Sequence, residues 1–234
     1  MEKLRSFHLD ACPNCRAELP PGPQQVFDEA VREWMVLGRR YGQGDKPWRK
    51  MKGRDREVMH EILEKLREIA DEGYAQALLG QLYHFGHGVK QNDATAAGWY
   101  LKAAAQGDAN AQNNTGSMFA MGKGVPQNHV TAAGWYLKAA DQGHAEAQYR
   151  LGVAYYSGEG VPRDHAKAAG WFRKAAYQGH THAQYNLGFT YATGKGVPMD
   201  HATAAGWYHK AAVQGHAEAQ FNLGVLSLFV NCAM

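Results

Sequence analysis

Glycine recurs along this chain at a fixed interval of 36 residues, and this periodicity constrains the fold more than any other feature. One series consists of Gly80, Gly116, Gly152, Gly188 and Gly224, and four further series follow the same interval. Together the five series contain 21 of the 27 glycines, and four of the six tryptophans form another series. Such self-similarity is typical of a tandem array, which here extends from about residue 71 to the end.

Each unit is predicted to fold as two helices joined by a sharp turn. In the unit that begins at Ala145, the side chains of Ala147, Leu151 and Tyr155 lie four residues apart and share one apolar helical face. Gly158 supplies a left-handed residue at the end of this helix, and the Gly-Val-Pro that follows cannot continue it. A strong N-cap residue then begins the second helix in successive units: Asn92, Asn128, Asp164 and Asp200.

The second helix of each unit is apolar nearly all round, which predicts burial between neighbouring helices. It carries a glycine at mid-length (Gly98, Gly134, Gly170 and Gly206), and each glycine costs about 1 kcal/mol relative to alanine. We therefore expect a neighbouring backbone or the adjacent tryptophan ring to approach too closely for a methyl group. Helix pairs that contact only their neighbours form an α-solenoid with a long concave surface.

The sequence shared by the units is Ala-x-Ala-Gln-x-x-Leu-Gly-x-x-Tyr-x-x-Gly-x-Gly-Val-Pro-x-Asp, followed by Ala-Ala-Gly-Trp-Tyr-x-Lys-Ala-Ala-x-Gln-Gly-His. This pattern resembles the Sel1-like repeat (SLR) family, a relative of the tetratricopeptide repeats with a slightly longer unit. We therefore expect an all-α fold, a right-handed α-solenoid of tandem 36-residue helix-turn-helix repeats with an N-terminal helical cap. The resemblance implies a non-catalytic adaptor or scaffold that binds partner proteins or peptides on the solenoid surface.

The array is expected to occupy residues 71–234 as four full repeats and a final half repeat. In the last unit Ser227 replaces the tyrosine of the other units and no Gly-x-Gly-Val turn follows, so the array is expected to stop after a first helix. An end without a polar cap exposes its core, which offers a surface for end-to-end self-association. Upstream, amphipathic helices over 26–41 and 54–71 indicate an N-terminal helical cap at 25–70.

Residues 1–24 combine a Pro-rich linker with a cysteine pair, Cys12-Pro-Asn-Cys15-Arg, that resembles the last ligand pair of a RING- or MYND-type zinc finger. Two thiolates at this spacing need two further ligands to hold Zn²⁺, and only His8 precedes them. Cys12 and Cys15 are therefore an incomplete candidate metal site: the remnant of a finger, a zinc site, or an incidental pair. The first interpretation gives the alternative function, the substrate-recognition part of a RING-type ubiquitin ligase. Without the rest of the finger we expect no cofactor.

Between the two upstream helices, residues 39–56 hold eight basic and two acidic residues together with Tyr41 and Trp48. Basic and aromatic side chains can together bind phosphates and stacked bases. A solvated connection explains the same composition, and the net charge of +3 excludes a general nucleic-acid or membrane-binding design. We therefore expect no nucleic-acid partner. We also expect no membrane span, because no apolar run approaches about 18 residues.

The sequence contains no motif that indicates an enzyme. Its four serines lie outside Gly-x-Ser-x-Gly and Ser-x-x-Lys patterns, and the segment from Gly116 to Lys123 has the wrong spacing for a phosphate loop. Histidine recurs in two series (His129, His165, His201 and His144, His180, His216), but equivalent residues of stacked helices lie about 10 Å apart, too far for one metal ion. We expect no small-molecule substrate. Three cysteines in 234 residues favour a reducing, cytoplasmic setting.

Partner binding is predicted at first-helix positions that point away from the buried stripe, toward the concave surface. Two neighbouring series qualify: Asn113, Tyr149, Tyr185 and Phe221 form one, and Asn114, Arg150, Asn186 and Asn222 form the other. An amide can donate to and accept from a peptide backbone, and Arg150 favours an acidic residue in the partner. The related tetratricopeptide repeats clamp peptides with first-helix asparagines, which implies the same use here. The alternative is that the asparagines connect successive repeats and the rings are simply packed.

Overall fold

The computed structural model describes residues 21–41 and 51–232, with side chains up to Leu226, and every regular element in these ranges is an α-helix. The helices are α1 (Pro23–Tyr41), α2 (Arg54–Glu68), α3 (Gly73–Phe85), α4 (Asp93–Ala105), α5 (Ala109–Met121), α6 (His129–Asp141), α7 (Ala145–Ser157), α8 (His165–Tyr177), α9 (Thr181–Thr193), α10 (His201–Val213) and α11 (Ala217–Cys232). From α3 onward they pack as helix pairs, and each pair packs on the next. This is the predicted α-solenoid. Cys12, Cys15 and residues 42–50 of the basic segment lie outside the described residues.

The turn inside each repeat forms as predicted. Gly158 ends α7 with φ 82°, and its N–H donates to the Ala154 carbonyl at 2.8 Å. Asp164 then accepts a hydrogen bond from the Lys167 N–H at 2.9 Å and caps α8. Equivalent caps, each accepting from the N–H three residues on, are provided by the other predicted residues, Asn92, Asn128 and Asp200.

Glutamine side chains join each repeat to the next. The Gln142 Nε2 donates to the Gly107 carbonyl at 2.9 Å and to the Gln112 Oε1 at 2.8 Å. The Gln112 amide is buried, and its own Nε2 donates to the Ala104 carbonyl at 3.2 Å. Gln178 with Gln148 and Gln214 with Gln184 repeat this arrangement at the next two junctions. Each buried amide therefore has hydrogen-bond partners, and these bonds form only when successive repeats are aligned in this one way.

The prediction for the mid-helix glycines of the second helices is wrong. A methyl group on Gly134 would meet no atom within 4 Å, and the same holds for Gly98, Gly170 and Gly206. The second helices form the outer layer of the solenoid, so one of their faces contacts solvent: Leu137 is 40% exposed. The close approach occurs in the first helices instead, where a methyl on Gly116 would lie 2.7 Å from the Tyr136 ring.

The two upstream helices cover the first repeat. Helix α1 packs on α2, and α2 packs on α3, with Ile62 and Leu66 fully buried in their shared core. Asp55 binds both Arg40 and the Tyr41 hydroxyl, which joins the end of α1 to the start of α2. Part of the basic segment therefore has a structural role in this cap. The boundaries at residues 24 and 70 stay a prediction.

Candidate functional site

A groove of about 370 Å³ lies between the first helices of two successive repeats, α7 and α9. Its floor is Phe172 of α8, which is buried. The walls of this groove, hereafter the aromatic groove, are formed by Tyr149, Val153, Tyr156, Tyr185, Asn186 and Phe189. A concave, mainly aromatic lining with one amide is typical of a site that binds an apolar side chain in a fixed orientation.

A smaller groove of about 210 Å³ lies one repeat earlier, between α5 and α7. Tyr149 and Val153 line both grooves, and Arg150 and Glu159 line only the earlier one. The two grooves therefore share a wall and follow one another along the first helices. An extended peptide rises about 3.3 Å per residue and repeats lie about 10 Å apart, so three peptide residues span one repeat.

Two tyrosines of the aromatic groove are held by stacking on the histidines that immediately precede the first helix of the next repeat. The Tyr149 ring lies 4.7 Å from the His180 ring at an interplanar angle of 24°, and Tyr185 lies 4.6 Å from His216 at 17°. The Asn186 side chain lies near the Tyr149 hydroxyl. Burial raises the pKa of Tyr149, and the nearby Asn186 amide only partly opposes this, so the hydroxyl stays protonated at neutral pH.

The histidines that hold these tyrosines are also helix N-caps. His180 Nδ1 accepts a hydrogen bond from the Ala183 N–H at 3.2 Å, and His216 Nδ1 accepts from the Ala219 N–H at 3.3 Å. His144 caps α7 in the same way. The sequence reading missed this role because imidazole is not a common N-cap residue. The equivalent position in an earlier repeat could have indicated this role, because it is occupied by Asp108, a common N-cap residue, which caps α5.

The charges around the aromatic groove are unevenly paired. Glu146 binds Arg150 at 2.7 Å and His180 Nε2 at 2.8 Å, and the hydrogen bond with His180 is the main cause that lowers the pKa of Glu146. Lys195 donates from Nζ to the Tyr156 hydroxyl at 3.1 Å and lies 5.7 Å from the centre of the Phe189 ring. Among the described residues Lys195 makes no ion pair, so it is the available cation at this rim.

The structure brings together only part of the predicted series. Tyr149, Tyr185 and Asn186 meet in the aromatic groove, and Arg150 lies in the earlier groove. At the ends of the series, Asn113 is buried at 7% exposure and Phe221 is 72% exposed. Asn114 and Asn222 are half-buried, and the Asn222 side chain lies near the Tyr208 hydroxyl. Two of the asparagines thus lie near tyrosine hydroxyls of the array. The use of these series in binding stays a prediction, and so does the alternative that the asparagines connect successive repeats.

Sequence reasoning missed four lining residues, Val153, Tyr156, Phe172 and Phe189. Val153 and Phe189 lie one turn beyond Tyr149 and Tyr185 on the same helix face, which a helical projection of the predicted positions identifies. In the ranges that the structure covers, no group of three or more histidine, cysteine, aspartate or glutamate side chains could hold a metal ion. No helix among the described residues is both long and apolar enough to cross a membrane.

Comparison with known proteins places these features in a family. The Sel1 repeat family profile matches five consecutive segments, residues 73–108, 109–144, 145–180, 181–216 and 217–229. The chain is similar to a Sel1 repeat protein from Oxalobacter formigenes, with a TM-score of 0.71 and 32% identity over 85% of this chain and 72% of that one.

Two further solved structures are similar. One is c5321, a protective antigen present in uropathogenic Escherichia coli strains and displaying an SLR fold, with a TM-score of 0.69 and 29% identity over 88% of this chain. The chain spans about half of that antigen, 52% of its length. Immunity protein Pa5087 from Pseudomonas aeruginosa shares the fold, with a TM-score of 0.51 and 24% identity over 86% of this chain and 70% of that one. No curated protein sequence matches the chain.

Proposed function

This chain is a member of the Sel1 repeat family, and from that premise we propose that it is an adaptor that holds an extended peptide segment of a partner protein in the aromatic groove. Sel1 repeat proteins are typically protein-interaction scaffolds, and the repeat is a non-enzymatic scaffold fold. The observation that carries the proposal is the groove itself, in which aromatic side chains from α7, α8 and α9 converge around one amide.

The lining of the aromatic groove favours a peptide with one large apolar side chain, the anchor, that inserts into the groove. Its volume of about 370 Å³ accommodates one large aliphatic or aromatic side chain between the rings of Tyr149, Tyr185 and Phe189, over Phe172. Burying such a side chain contributes roughly 1.5–3 kcal/mol. The Asn186 amide lies beside the anchor and is able to hydrogen-bond the peptide backbone, which fixes the orientation of the peptide but tolerates different sequences.

The charges at the rim favour an acidic residue next to the anchor. Lys195 has a hydroxyl partner, Tyr156, and its charge is uncompensated, so a carboxylate of the peptide would gain an ion pair there. Arg150, which the sequence suggested for this role, is already paired with Glu146 and would have to exchange one carboxylate for another. We therefore assign the acidic preference to Lys195, at the α9 end of the groove.

Selection from a displayed library of random peptides, followed by calorimetry with the enriched peptide, tests the proposal. We expect the enriched peptides to combine one large apolar residue with an acidic neighbour. The decisive variant replaces the α7 wall by the residues at the same positions of α5: Tyr149→Asn, Val153→Ser and Tyr156→Ala. Since α5 already folds with those residues, this exchange should keep the circular dichroism spectrum and weaken peptide binding at least tenfold.

A matched exchange on the outer layer is the control. Ala166→Val, Arg173→Leu and Tyr177→Asp give exposed positions of α8 the residues that α6 carries there. This variant also replaces three residues with residues of different polarity, but none of them lines the aromatic groove, so peptide binding should be unchanged. Failure to enrich any peptide, or equal binding by both exchange variants, would contradict the proposal.

A further inference from the structure

Three histidines, His180, His182 and His216, line a separate open pocket beside the aromatic groove, and two of them stack on tyrosines that form its walls. The ring of His182 lies 6.0 Å from that of His180 and 5.2 Å from that of His216. His180 and His216 are largely enclosed, with 14% and 9% of their side chains exposed, and each stacks on a tyrosine of the groove. Any change in the charge of these rings therefore occurs in direct contact with the groove walls.

The two enclosed histidines can serve as N-caps only while they are neutral. Because His180 Nδ1 accepts the Ala183 N–H, the ring carries its proton on Nε2, which donates to Glu146. A second proton has to enter at Nδ1, where it would face the backbone N–H that this nitrogen now accepts. The same holds for His216 Nδ1 and the Ala219 N–H. Protonation thus removes the cap and places a positive charge at a helix N-terminus, which the helix dipole disfavours.

The surrounding charges oppose each other. Facing His180, α7 contributes Glu146, paired with Arg150, and the Tyr149 ring; α9 contributes His182. The ring of His216 is faced by His182 and Tyr185 from α9 and by Glu218, 3.3 Å from Nδ1 on its own helix. For His216, burial is the main cause that lowers the pKa; the His182 ring acts in the same direction, and Glu218 only partly opposes them.

We propose that the cluster of His180, His182 and His216 makes partner binding in the aromatic groove sensitive to pH, strong near neutrality and weakened by acid. Protonation drives the His180 and His216 rings out of their cap positions, and Tyr149 and Tyr185 lose the surfaces against which they stack. Burial lowers the pKa of His216 below the ordinary histidine value of about 6.5, so we expect its cap to be lost in acid, below that pH. The binding consequence rests on the proposed function, but the loss of the caps does not.

Hydrogen exchange of the full chain without ligand tests the structural part. After correction for intrinsic exchange, protection of the Ala183 and Ala219 amides should fall about fivefold between pH 7.5 and 5.5, the factor that corresponds to losing one N-cap. The amide of Ala111 is the internal reference, because its cap is Asp108 and aspartate stays ionised in this range. Equal protection of Ala183 and Ala219 at the two pH values would overturn the inference.

A double variant, His180→Asn with His216→Asn, is the matched control. Asparagine caps helices in this chain already, at Asn92 and Asn128, and it does not titrate. In this variant we expect protection of Ala183 and Ala219 that does not change with pH; a pH dependence as large as in the original chain would overturn the inference.

Calorimetry with the peptide enriched at pH 7.5 tests the binding part. The peptide should bind the original chain several-fold more weakly at pH 5.5, and the double asparagine variant equally at both values. If the peptide binds the original chain equally at both pH values, loss of the histidine caps does not affect binding in the aromatic groove, and this part of the inference is overturned even if the caps open. If no peptide binds at any pH, the proposed function fails, while hydrogen exchange still decides whether the caps open.

Discussion

Helices α5 and α7 occupy the same place in successive repeats but present different inner faces. Both have 13 residues and end in a left-handed glycine, and each has a glycine packed against a ring of the following helix. Yet α5 carries Asn113, Ser117 and Ala120 where α7 carries Tyr149, Val153 and Tyr156. The same backbone is thus built with an amide and two small residues or with two tyrosines and a valine. Folding of the repeat therefore accepts either set of residues at these positions.

Shared positions that contact a neighbouring helix have the opposite property, because the repeats cannot pack without them. Gln112, Gln148 and Gln184 are buried donors and acceptors at three junctions. Variants at shared positions should therefore change stability, and variants at differing positions should change binding.

The largest loss of stability is expected for Gly160→Ala. Gly160 has φ 75°, and a methyl group there would overlap the backbone carbonyl of His129 in the preceding repeat. Backbone cannot move aside as a flexible side chain does, so we expect a loss of at least about 3 kcal/mol in urea unfolding followed by circular dichroism.

Gly179→Ala is the control for Gly160→Ala. Gly179 also has a positive φ, 87°, but a methyl there meets no atom within 4 Å. It should cost only the left-handed strain of roughly 1–2 kcal/mol. Equal losses in the two variants would mean that the repeats do not approach as closely at Gly160 as described.

A smaller loss is expected for Gln148→Leu. The Gln148 side chain accepts from Gln178 Nε2 at 2.8 Å and donates to the Ala140 carbonyl at 3.1 Å, so leucine leaves buried polar atoms without partners. We expect a loss of about 2 kcal/mol by the same unfolding measurement. The control is Gln220→Leu, at the equivalent but exposed position, which should lose less than half as much. If both variants lose the same, burial of the glutamine junction is not what stabilises it.

Local features of the repeat could be predicted from the sequence, and features that depend on the distance between helices could not. Asp164 and Gly158 were predictable because a cap and a left-handed helix end involve atoms within a few residues of each other. Gly134 was misjudged because the sequence shows that a methyl group is missing but not whether a neighbour or solvent occupies its place. Tyr156 and Phe172 were missed for the same reason, since the groove exists only through the spacing of α7, α8 and α9.

A pH effect of about 1 kcal/mol or less is expected from the His144 cap. Burial lowers the pKa of His144, so the unfolded chain binds the proton more readily than the folded one. Its contribution is complete above the ordinary histidine pKa of about 6.5 and is lost as the pH falls through the lower folded value. Urea unfolding at pH 7.5 and 5.5 should therefore show a smaller decrease in stability for His144→Asn than for the original chain. An unchanged decrease would assign the acid sensitivity to other groups.

The smallest effect, and the only gain, is expected for Gly134→Ala on the outer face of α6. Since a methyl there meets open space and the helix continues on both sides, alanine should add up to about 1 kcal/mol to the free energy of unfolding. Gly152→Ala makes the same change in the neighbouring first helix, where the methyl would lie 2.7 Å from the Phe172 ring, and it should destabilise. Stability changes of opposite sign would establish that Gly152 is required by the close packing of α7 on α8, whereas Gly134 is not required by packing. A loss from Gly134→Ala would instead mean that the outer face is covered in the folded protein, and that face would then become the surface on which to look for a partner.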